Sequence, residues 1–156
     1  MDATDLKILA RLQVAGRESW AKLGELLGMT GAAAAERVRK LEEEGVVRGY
    51  AALVEPKAVG AILTAYVAIS VDRPHHRAAL LARIVEIPEV QECHHVAGDV
   101  DYLLKVRCRG PEDLDRVISD EIKGVPGVAR TRTTIVLRTT KESTVVPIPR
   151  YEDLHA

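Results

Sequence analysis

The stretch SWAKLGELLGMTGAAAAERVRKLEEEG, residues 19–45, decides the fold of the N-terminal part. Ser19 offers its side chain to the first amides of a short helix over residues 20–27, which turns Trp20, Leu23 and Leu27 inward. Gly28 stands just past its end, where a left-handed backbone is easiest, and Gly28-Met29 makes a tight turn. Thr30 then caps a further helix that runs to about Glu44, buries Ala34, Val38 and Leu41, and stops at Gly45. Two short helices about such a turn form a helix-turn-helix.

Upstream, Asp2 or Thr4 can cap a first helix whose Leu6, Leu9 and Leu12 recur at helical spacing, with Ile8 widening the stripe and Gly16 closing it. Downstream, residues 46–54 alternate loosely and read as a strand or wing, and Glu55-Pro56-Lys57-Ala58-Val59-Gly60 reads as a hinge. Beyond Gly60 the period changes from helical to twofold. Leu63, Ala65, Val67, Ile69 and Val71 alternate with Thr64, Tyr66, Ala68 and Ser70, giving a strand with one buried face. A helix over residues 76–86 is expected to bury Leu80, Leu81 and Ile84. A strand up to Val96, the turn Gly98-Asp99-Val100-Asp101 and a strand over residues 102–109 pair as a hairpin. Pro111, with Glu112 and Asp113 behind it, opens another helix, and a last strand covers residues 129–139. The fold class is therefore α+β, an N-terminal winged helix-turn-helix followed by a ferredoxin-like βαββαβ domain. The expected boundaries are 1–54, a hinge at 55–60, the second domain at 61–142 and a tail at 143–156.

Composition narrows the chemistry. Cys93 and Cys108 lie in apolar stretches without metal-ligand spacing, which disfavours both a zinc site and a disulfide framework and fits a reducing cytoplasm. No signal peptide or membrane-length apolar run is expected. Net charge is -1, with nine basic against nine acidic residues in positions 1–60, so any nucleic-acid affinity must come from local geometry and from several copies together. Adjacent residues on a strand face opposite ways, so His94 and His95 of the Cys93-His94-His95 cluster cannot share one metal site in a single chain.

The motifs Asp5-x-x-Ile8-Leu9, Glu36-Arg37-Val38-Arg39-Lys40-Leu41-Glu42, Gly45-Val46-Val47-x-Gly49-Tyr50, Gly98-Asp99-x-Asp101-Tyr102 and Pro126-Gly127-Val128 occur in order along the chain. On these residues the chain resembles the Lrp/AsnC, or feast/famine, family across nearly its whole length. The resemblance implies a cytoplasmic transcription regulator, not an enzyme, that binds double-stranded DNA without a cofactor. It also implies homodimers assembled into octamers or other higher oligomers, and an amino-acid-like effector bound between dimers. Siroheme decarboxylases resemble the same family and supply the rival, enzymatic reading.

Within that frame Thr30, Ala32, Glu36, Arg37, Arg39, Lys40 and Arg48 are the candidate DNA contacts, the basic ones toward phosphates. Arg37, on the flank of its helix, has a structural alternative as partner of Glu36, Glu42 or a first-helix carboxylate. The helix start is Gly31-Ala32-Ala33-Ala34-Ala35, where the family usually has polar or proline-framed residues; alanine can touch a thymine methyl but makes no hydrogen bond to a base. Gly98, Asp99, Val100, Asp101 and Tyr102, joined by Thr131 and Thr133, are the candidate effector site. Loop amides would receive a carboxylate, and Asp99 or Asp101 an ammonium.

Overall fold

Three capped helices build the first of two units in the computed structural model, which describes residues 1–149. Helix α1, Ala3–Val14, is opened by Asp2, whose carboxylate accepts from the amides of Thr4 and Asp5 while the Asp5 side chain accepts from the Asp2 amide. This reciprocal capping box makes Asp2, not Thr4, the cap. Ser19 caps α2, Trp20–Leu27, and Gly28 closes it in the left-handed conformation at φ 69°. Thr30 caps α3, Gly31–Glu43, by accepting from the Ala33 amide. Ile8, Leu12, Leu23, Ala34, Val38 and Leu41 form the core of this unit.

Trp20 departs from expectation and is 41% exposed. It is the first residue of α2 and has no preceding turn to lean on, so the buried stripe begins one turn later at Leu23 and Gly24. A β-carbon on Gly24 would lie 2.7 Å from the Met29 carbonyl oxygen and 2.8 Å from the Gly31 nitrogen; one on Gly31 would lie 2.9 Å from the Ala21 Cα. The two glycines are what let α2 and α3 meet across so short a turn.

Residues 46–54, expected as a strand or wing, form no strand among the described residues. A strand needs a hydrogen-bonded neighbour, and the amides of Val46 and Val47 instead close the end of α3 on the Leu41 carbonyl. The hinge contains a short 3₁₀ turn, Pro56–Val59. The described part of the expected tail groups with the first unit, where the Gln13 amide both donates to the Val146 carbonyl and accepts from the Val146 amide. Residues 150–156 of that tail lie outside the described residues.

The second unit, Leu53–Thr140, is a four-stranded antiparallel sheet with helices on one face. Its elements are β1 (Leu63–Val71), α4 (Arg77–Glu86), β2 (Val90–His95), β3 (Tyr102–Cys108), α5 (Pro111–Arg116) continued by a π-helical turn (Val117–Ile122), and β4 (Val128–Ile135). Spatial order β2-β3-β1-β4 with this chain order is the βαββαβ arrangement. Ala65, Val67 and Ile69 of β1 and Tyr102, Leu104, Val106 and Cys108 of β3 pack against Leu80 and Ile84 of α4 and Leu114, Val117, Ile118 and Ile122.

Two expectations in this unit fail for packing reasons. Leu81 is 37% exposed, because the buried line runs through Leu80, Ile84 and Ile87 at i, i+4 and i+7. The last strand ends at Ile135 rather than 139, since β1 begins at Leu63 and offers its last carbonyl, that of Thr64, to the Val136 amide. Leu137 beyond it is 97% exposed.

Candidate functional site

Along the exposed face of α3 stand Ala32, Ala33, Glu36, Arg39, Lys40 and Glu43. The Arg39 guanidinium lies between Glu36 and Glu43, bonded to both, and Lys40 stands 3.8 Å from Glu44. These are surface pairs at helical spacing, readily exchanged for another anion. Arg37 is engaged differently, reaching back to Asp2 at 2.8 Å and Asp5 at 2.7 Å across the unit. Of its alternatives the geometry selects the first-helix carboxylates, so Arg37 ties α3 to the capping box of α1. The Asp2 carboxyl is held below its ordinary range first by the Asp5 amide and then by Arg37. The Thr30 hydroxyl oxygen is occupied in capping, and its proton remains available to an outside acceptor. Arg48 is exposed and has no ion pair among the described residues.

In the second unit, Ser70 and residues 95–101 line an open cleft of about 590 Å³. Gly98 adopts φ 150°, a backbone open to glycine, and lets the loop turn between β2 and β3. Asp101 is not a free carboxylate. One of its oxygens accepts from the Val71 amide at 2.8 Å, the other from Arg77 at 3.0 Å, and its own amide donates to the Ile69 carbonyl. These partners, the Val71 amide first and Arg77 after it, hold its pKa below the usual carboxylate value. Asp99 is exposed and carries no such partner among the described residues.

Tyr102 belongs to the core, its ring 5.1 Å from that of His95, and does not line the cleft. Thr131 sits opposite Ile69 and Thr133 opposite Val67 on the outer strand β4, separated from the hairpin by β1. Neither lines the cleft. His94 pairs in register with Leu103 and His95 with Tyr102, so the two histidines face opposite sides of the sheet. Among the described residues no group of three or more His, Cys, Asp or Glu is placed to hold a metal.

Two residues that shape these units escaped the sequence. Arg77 shows no local signal, since its partner lies 24 positions away. Gly24 had one, a glycine inside a helical pattern, which marks either a weak helix or a close approach.

Comparison with known proteins assigns both units. The AsnC-type helix-turn-helix domain matches residues 1–42, and the Lrp/AsnC ligand binding domain matches residues 64–146. The chain is 32% identical to the HTH-type transcriptional regulator FL11 of Pyrococcus horikoshii, over 95% of this chain and 97% of that protein. It is 37% identical to the leucine-responsive regulatory protein of Salmonella typhimurium, over 92% and 88%. Among solved structures it resembles a transcriptional regulator of Neisseria meningitidis in complex with L-methionine, at a TM-score of 0.90 and 31% identity, covering 94% of this chain and 96% of that one. It also resembles a feast or famine regulatory protein of M. tuberculosis complexed with L-methionine, at 0.83 and 39%, covering 92% and 96%. With a DNA-binding helix-turn-helix ahead of a ligand-binding βαββαβ unit, the chain belongs to the Lrp/AsnC family of transcriptional regulators.

Proposed function

We propose that this regulator acts in the cytoplasm by presenting α3 from several copies to double-stranded DNA, and that the loop at 98–101 reads an amino-acid effector. The observation that carries the reading is the exposed face of α3, where small residues at the N-terminal end are followed by Arg39 and Lys40, with Arg48 just beyond. A small-faced helix start approaches base edges closely, while cations one and two turns on meet phosphates. Because the chain has a net charge of -1, binding draws on multivalency within a dimer or larger oligomer. At the other site, loop amides about Gly98 receive the effector carboxylate and Asp99 its ammonium. L-methionine, bound by two of the similar structures, is the first effector to test.

The test is a gel-shift of the full chain against its own upstream DNA across a salt series, with and without L-methionine and other amino acids. Arg39→Ala with Lys40→Ala is expected to weaken binding and to reduce the salt slope by nearly one unit, about 0.9, for each phosphate that is no longer neutralised. An unchanged slope would remove both residues from the interface. In sedimentation at micromolar concentration the full chain is expected as a dimer or larger. The sheet leaves one face without helices, and a monomer would contradict the multivalent reading.

A further inference from the structure

We propose, resting on the reading of α3 as the recognition helix, that Glu36 selects cytosine in the major groove, so that each half-site carries a C·G pair at one position. The N-terminal end of a recognition helix is the part that reaches base edges. There the Thr30 hydroxyl oxygen is bonded to the Ala33 amide, and Gly31, Ala32, Ala33 and Ala35 carry no polar side-chain atom. Along this face the Thr30 hydroxyl keeps only its proton for an outside acceptor, and Glu36, 66% exposed, is the first residue whose side chain can accept from a base.

Its chemistry restricts what it can meet. A carboxylate only accepts hydrogen bonds, so phosphates and the acceptor edges of guanine and thymine repel it. The donors in the major groove are the amino groups of cytosine and adenine. In adenine the amino group sits beside the N7 acceptor, which opposes an anion; in cytosine no acceptor flanks it on the groove edge. Arg39 equips Glu36 for this position: its guanidinium bonds both Glu36 oxygens and offsets the charge among phosphates. Each oxygen keeps a lone pair for the base.

The experiment is selection of binding sites from a random duplex pool by the full chain and by two variants at this exposed helical position. The natural chain should enrich a motif with cytosine at one position of each half-site. Glu36→Gln should move the preference there to adenine, since an amide offers a donor to N7 and an acceptor to the amino group. Glu36→Ala should lose that single preference, a discrimination of about fivefold or more, while the rest of the motif stays. It should also bind unrelated DNA more tightly, because one negative charge has gone. If both variants keep the natural motif and merely bind everything more tightly, Glu36 is only the partner of Arg39 and the proposal is overturned. If the natural chain enriches no motif, the recognition-helix reading fails and takes the proposal with it, an outcome separable from the former by the behaviour of the unaltered chain.

Discussion

Gly24→Ala is expected to destabilise the helix-turn-helix unit by about 2 kcal/mol and to abolish specific DNA binding, although the residue faces no ligand. An alanine in a helix interior ordinarily gains about 1 kcal/mol over glycine. Here the added carbon would meet three backbone atoms, the Met29 oxygen, the Gly31 nitrogen and the Thr30 carbonyl carbon, all within 2.8 Å. No rotamer change relieves a clash with backbone, so the overpacking cost falls at the upper end of its range, about 3 kcal/mol, and outweighs the propensity gain. Relief requires α2 and α3 to move apart, which shifts the N-terminal end of α3 relative to the rest of the unit. Thermal unfolding followed by circular dichroism measures the first effect and a gel-shift the second. Gly16→Ala is the control, since its new carbon would find only ordinary contacts at 3.4 and 3.5 Å. Equal stability of the two variants would show that the helices re-pack freely and that the close crossing carries no weight.

What was legible in the sequence follows the same division between local and distant causes. Ser19 and Thr30 announce their helices because a cap acts on amides two or three positions away, within one short stretch of chain. The twofold alternation of β1 is equally local, and its buried residues Ala65, Val67 and Ile69 fall where the pattern puts them. Other failures have distant causes. The span of β4 depends on where β1 begins, and the stretch at 46–54 forms no strand among the described residues. Arg37 illustrates the boundary: its neighbours Glu36 and Glu42 were equally plausible partners, and only the crossing of α1 and α3 selects Asp2 and Asp5. The second site divides likewise. Gly98 and the acidic pair beside it mark a loop of interest, but which carboxylate is spoken for depends on the Val71 amide and Arg77.

The different surroundings of Asp99 and Asp101 lead to opposite expectations for two neighbouring isosteric changes. Asp99→Asn removes an exposed charge that has no partner among the described residues and should leave the loop as it is. If Asp99 receives the effector ammonium, an interaction of about 2 kcal/mol disappears and L-methionine binding weakens about thirtyfold in calorimetry. Asp101→Asn acts on the loop itself. One oxygen can still accept from the Val71 amide, but the new amino group points at Arg77, donor against donor, beside an Arg77 Nε already buried without a partner among the described residues. The loop anchor therefore gives way, and hydrogen exchange at the amides of Val71 and Asp101 should accelerate in this variant alone. The pH dependence has a definite sign. The Asp101 pKa is lowered in the folded chain, so its anchoring is fully present above the unfolded carboxylate value of about 3.9 and is lost as pH falls through the lowered value. Loop order, read by the same two amides, should accordingly be constant through neutral pH and disappear only in acid. Should Asp99→Asn bind L-methionine as the natural chain does while Asp101→Asn loses binding with its loop amides still protected, the ammonium belongs to Asp101. The Arg77 ion pair would then have to open to admit the effector.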